Sequence, residues 1–118
     1  MATIKTKRIY EPFDEADGVR ILVDRLWPRG IKKETARLDE WMKEVAPSAG
    51  LRKWFNHEIP HWDEFRLKYH IELKRNDAVK ALVDLVKKHK TVTLLYAAHD
   101  EEHNHAVVLQ EFIGEMLK

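Results

Sequence analysis

The chain has no cysteine at all among its 118 residues. That excludes a disulfide framework, a thiolate zinc site, an iron–sulfur cluster and a cysteine nucleophile. It also lacks an excess of either charge: 21 Lys and Arg stand against 20 Asp and Glu, for a formal +1. Such a balance gives no bulk attraction to nucleic acid. Glycine and proline occur only four times each, too few for a low-complexity or collagen-like chain. Long apolar runs are missing too. Stretches such as Leu94–Ala98 fall far short of the roughly 20 residues of a membrane-spanning helix. The first ten residues read as a strand rather than a signal peptide. The expectation is a soluble cytoplasmic protein without a membrane partner, folded over residues 1–118 as a single α/β domain.

What is present is a mixture of strand-like and helix-like segments. Thr3–Tyr10 alternates polar and apolar and reads as a first strand. Glu11–Gly18, with Pro12, Gly18 and four acids, reads as a loop. Val19–Trp27 is rich in β-branched and aromatic residues and predicts a buried strand stopped by Pro28. The segment from Glu34 to Ala46 is compatible with a short helix or turn, closing in a short strand near Val45. Ser48 is placed to cap a helix over Ala49–Phe55, with Trp54 and Phe55 in the core. Pro60 suits a helix start, and Trp62, Phe65, Tyr69 and Leu73 then share one face. Asn76 caps a further helix with Val79, Leu82, Val83 and Val86 inward. Thr91–Ala98 is continuously apolar, as a central strand covered on both faces should be. Asp100 is expected to cap a last helix, whose buried stripe would be Val108, Leu109, Phe112, Ile113, Met116 and Leu117.

Strands separated by helices predict a mainly parallel sheet of about four strands flanked by helices. In such sheets ligands sit beyond the carboxyl ends of the strands. Two segments should meet there. The first is Asp24–Gly30, where Arg25 and Arg29 flank a Trp-Pro corner and offer planar forks for phosphate or carboxylate. The second is Tyr96–His105. Asp24, Asp100 and His103 are the candidate proton carriers. Arg25, Arg29, Arg52, Tyr96 and Asn104 are the candidate ligand contacts, with His57 also able to face the cleft. Of the two arginines, Arg25, beside Asp24, is the more structural and Arg29 the better ligand-binder.

His99 and His103 are four apart, but His99 falls at a strand end rather than within a helix, so no metal is expected. No Gly-rich loop is visible, so no cofactor is expected. Between Arg20 and Arg37 six basic residues face only two acids. That patch supports an alternative, a nucleic-acid-binding module. A third is a non-catalytic interaction protein.

Taken together, Asp17-Gly18-Val19-Arg20, Leu22–Gly30, Ala46-Pro47-Ser48, Leu51-Arg52, Trp54-Phe55, Thr93–Ala98, Asp100 and His103–Ala106 resemble the YeaO-like family, a branch of domain of unknown function 488. The resemblance covers nearly the whole chain. It implies a small cytoplasmic α/β protein and no particular reaction. The motif positions that match are Arg20, Asp24, Arg25, Trp27, Pro28, Arg29, Ser48, Arg52, Tyr96, Asp100, His103 and Asn104. Related branches carry cysteines near the start of the last helix. None is present here, so thiol chemistry does not carry over.

Overall fold

The computed structural model describes residues 2–118. Four strands form one all-parallel sheet: β1 (Thr3–Arg8), β2 (Val19–Leu22), β3 (Glu40–Trp41) and β4 (Thr91–Tyr96), in the order β1-β4-β2-β3. Five helices accompany them: α1 (Lys33–Ala36), α2 (Ala49–Phe55), α3 (Trp62–Lys74), α4 (Asp77–Lys87) and α5 (His105–Met116). Among the described residues no helix is long and apolar enough to cross a membrane.

The period-two alternation of the strands divides the core. Val92, Leu94 and Tyr96 of β4, with Ile21 and Val23, join the larger core, to which α2–α5 also contribute. Leu95, Leu22 and Ile9 lie in a smaller second cluster, capped by Trp27, Ile31, Leu38 and Trp41 from the segment after β2. Both layers are needed because β4 is buried on each face, and each buried Leu or Val contributes about 1.5–3 kcal/mol. Thr93 shows how a polar residue is kept in this strand. It is fully buried, and its hydroxyl donates to the Asp17 carbonyl at 2.7 Å.

Under the second face lies an ionic cluster. Asp17, 5% exposed, accepts from Lys7 at 3.0 Å and pairs with buried Arg20. Burial pushes the Asp17 carboxyl up, but the hydrogen bonds from Lys7 and Arg20 outweigh it and leave the group below the usual carboxylate value. Next to it Gly18 takes φ +66°, and a Cβ there would stand 2.2 Å from the Thr91 carbonyl oxygen. Only glycine fits.

Several boundaries differ from the sequence expectation, each for a local reason. β2 ends at Leu22 rather than Trp27, after Val23 N–H donates to Leu95 O. The next ladder donor, Ala97 N–H, is taken by the Asp24 carboxylate at 2.9 Å, so the main chain is released and Leu26 turns outward, 68% exposed. β1 stops at Arg8 and β4 at Tyr96, with the Arg8 guanidinium holding Ala98 O at 2.8 Å. The short edge strand is Glu40–Trp41, and a 3₁₀ turn occupies Lys43–Val45. Pro60 lies in a 3₁₀ turn ahead of α3. α5 begins at His105, not near Asp100, because Asn104 is its cap and accepts from Val107 N–H at 3.1 Å. Met116 is exposed rather than inward. Ser48 and Asn76 cap α2 and α4 as expected.

Candidate functional site

A cleft of about 670 Å³ opens at the carboxyl edge of the sheet, between the segment after β2, helix α2 and the start of α5. This is within the usual range of small-molecule sites, about 300–1,000 Å³. Its walls are largely apolar, with Trp27, Pro28, Phe55, Phe65, Ala97 and Ala98 among them. Trp27 is fixed by donating to Ile31 O at 2.7 Å and by edge-on packing against Trp41.

Four cations line the cleft: Arg25 and Arg29 from the Trp-Pro corner, and Arg52 and Lys53 from α2. Among the described residues none of the four is in an ion pair. Arg25 spends its donors on main chain, at 3.1 Å to Ala46 O and 3.4 Å to Pro47 O. Arg29 is exposed, and its backbone is pinned by the Tyr10 hydroxyl, which donates to Arg29 O at 3.1 Å. The Nε of Arg52 is buried and has no hydrogen-bond partner. At the end of α2, Asn56 and His57 both take left-handed backbone, φ 47° and 55°, although neither is glycine. That strained pair also lines the cleft.

One carboxylate, that of Asp24, faces these cations. It is already engaged. Oδ2 accepts from Ala97 N–H, while Oδ1 lies 3.1 Å from His105 Nε2. The Asp24 carbonyl accepts from Trp41 Nε1 at 2.7 Å.

Of the eight residues singled out from sequence, Asp24, Arg25, Arg29, Arg52 and Asn104 line this cleft. Asp100, His103 and Tyr96 are not among its lining residues. Asp100 instead orders the loop ahead of α5, accepting from the Glu102 and His103 N–H groups at 2.9 Å each. Hydrogen bonds from the His103 and Glu102 main chain hold its carboxyl below the ordinary value. His103 Nδ1 is 3.0 Å from Asp100, and its ring packs edge-on against Trp62. Tyr96 is buried, and burial raises its phenol above the usual value. Asn104 uses both ends of its amide within the turn, donating to Asp100 O and capping α5. No group of three or more His, Asp or Glu side chains able to hold a metal occurs among the described residues.

Comparison with family models matches residues 3–118 to a family described as the inactive DUF488-N3 subclade. The chain belongs to that subclade. The uncharacterised protein YeaO of Escherichia coli K12 is 49% identical over 114 residues, covering 96% of this chain and 98% of the relative. The uncharacterised protein Rv3073c of Mycobacterium tuberculosis H37Rv is 39% identical over 111 residues, covering 94% and 93%. No solved structure matches. In this DUF488-N3 chain, the cleft residues that sequence reasoning did not single out as contacts include Lys53 and His105, the latter already within the candidate segment Tyr96–His105. His105 is the first residue of α5. Starting the helix at Asp100 put His105 a full turn inside it and hid its position at the mouth. The Asn104 cap, followed by apolar Ala106 and Val108, is the signal that would have found it.

Proposed function

We propose that this chain binds a small organic anion in the cleft at the carboxyl edge of its sheet and does so without catalysing a reaction. The observation that carries this is the imbalance of charge: four cations without acidic partners share an apolar-walled cleft with one carboxylate that is already bonded. In this reading Arg29 and Arg52 hold the anion, Arg25 shapes the floor, and Asp24 orders the strand end. Asp100, His103 and Asn104 keep the neighbouring loop in place. The description of the subclade as inactive supports binding without turnover. A cytoplasmic setting belongs to the same proposal and rests on the cysteine-free composition. The basic run from Arg20 to Arg37 lends less support to nucleic-acid binding. Arg20 is buried against Asp17, Arg25 is bonded within the cleft, Lys33 lies over Trp27 and Arg37 over Phe13.

The test is thermal unfolding with phosphate, sulfate, sugar phosphates and carboxylates against chloride at matched ionic strength. A bound anion at ten times its Kd should stabilise by about 1.4 kcal/mol. Arg29→Ala and Arg52→Ala should remove the effect. An absence of stabilisation by every anion sinks the proposal.

A further inference from the structure

We infer that the Val23 carbonyl, with Asp24 beside it, holds the His105 proton on Nε2 so that Nδ1 accepts a hydrogen bond from the ligand, which therefore combines an acidic group with a hydroxyl or amine donor. This rests on the anion-binding reading of the same cleft and narrows its ligand class.

The argument starts at Nε2 of His105. That nitrogen lies 3.0 Å from the Val23 carbonyl oxygen and 3.1 Å from Asp24 Oδ1. Both neighbours are acceptors. A lone pair on Nε2 would face two oxygens, so Nε2 must carry the proton, donated along the aligned path to Val23 O. In the neutral ring the lone pair then falls on Nδ1. Among the described residues no group bonds Nδ1, and it is not among the buried atoms without a partner, so it remains accessible. The ring itself lines the cleft.

Asp24 is held in turn. Ala97 N–H fixes its Oδ2, and its Oδ1 is buried without an aligned donor. A ligand cannot reach that oxygen directly. It can act only through the imidazole, by keeping the Nε2 proton where it is. The edge of Tyr69 flanks the ring, but its hydroxyl donates to Val45 O at 2.6 Å and offers nothing to His105. The cations of the cleft, Arg25, Arg29, Arg52 and Lys53, are donors only. Nδ1 is thus an accessible acceptor facing four donor-only cations, alongside the exposed Asn56 and His57 at the end of α2. The simplest matching ligand is a polyol phosphate, whose acid group suits the arginines and whose hydroxyl suits Nδ1.

Two measurements decide the matter. In ligand-free protein at pH 8, the ¹⁵N shifts of His105 should show Nε2 protonated and Nδ1 bare. Asp24→Asn leaves the Val23 carbonyl as the aligned acceptor, so the proton should stay on Nε2. A bare Nε2 in the wild type overturns the inference. The second measurement is calorimetric titration with glycerol 3-phosphate and n-propyl phosphate, which share length and charge and differ in hydroxyls. Glycerol 3-phosphate should bind at least about tenfold tighter. His105→Phe should erase that preference, bringing the two affinities together. Equal affinities in the wild type refute the donor requirement and leave the anion reading standing. Failure of both probes to bind removes the anion reading and this inference with it.

Discussion

Replacing Arg25 by alanine should destabilise the fold, whereas the same change at Arg29 should leave stability almost unchanged. The two arginines are four residues apart in one motif, yet their surroundings differ. Arg25 Nη2 lies 3.1 Å from Ala46 O and 3.4 Å from Pro47 O, and Nε lies 3.4 Å from Pro47 O. Ala46 is only 4% exposed, so its carbonyl would lose its charged donor with little water to replace it. The longer contacts to Pro47 count for less. Leaving a buried acceptor unpaired costs about 1–3 kcal/mol. In a chain of this length that lowers Tm by about 4–12 °C. Arg29 has an exposed side chain without a partner among the described residues, and the Tyr10 bond reaches only its carbonyl. Its removal should stay within about 0.5 kcal/mol. The assay is urea unfolding in chloride buffer free of phosphate and sulfate, with unchanged m-values required for the comparison. If Arg25→Ala is as stable as wild type, or Arg29→Ala is the variant that unfolds, the division of roles is wrong.

Gly18→Ala should cost at least about 3 kcal/mol, since its Cβ would strike Thr91 backbone at φ +66°. Gly30→Ala, at φ +75° but in open space, should cost only about 1 kcal/mol; equal urea midpoints for the two variants would refute the steric argument. Asp17→Asn should cost about 3–5 kcal/mol at pH 7, because it leaves Arg20 buried without its charge partner. The folded Asp17 carboxyl lies below the unfolded value of 3.8, so its contribution is complete above that value and is lost as pH falls through the lowered one. The gap between wild type and Asp17→Asn should therefore narrow below about pH 4 in urea titrations at pH 7 and pH 3, and a constant gap would count against the assignment.

The strand order could not be read from the sequence, but the parallel α/β class could, because β4 is apolar without interruption and is flanked by helical periodicity. The inner faces of α3 and α4 were legible for the same reason. What was not legible depended on side chains replacing main chain. Val19–Trp27 has strand composition throughout, yet the ladder stops after Val23 because the Asp24 carboxylate, not a backbone carbonyl, takes Ala97 N–H. The loop before α5 misled in a similar way. Asp100 is a fit capping residue and does accept two main-chain N–H groups, but it closes a separate turn, and Asn104 caps the helix. That shift of four residues takes Asp100 and His103 off the cleft and brings His105 to it.

The Asp24–Gly30 motif can now be divided by what each side chain already touches. Asp24 closes the β2–β4 edge, accepts from Trp41 through its carbonyl and lies against His105. Arg25 ties the floor to Ala46 and Pro47, and Trp27 seals the second face of the sheet against Trp41. These contacts account for an aspartate, an arginine and a tryptophan by folding alone. They do not account for Arg29. The chain turns at Gly30 with φ +75°, and Tyr10 pins the Arg29 carbonyl, so the backbone is held while the guanidinium meets no acidic partner. A fixed backbone carrying an uncommitted cation into a cleft reduces the entropy a ligand must overcome on binding. Function in this motif is therefore to be sought first at Arg29, the residue whose charge the fold does not use.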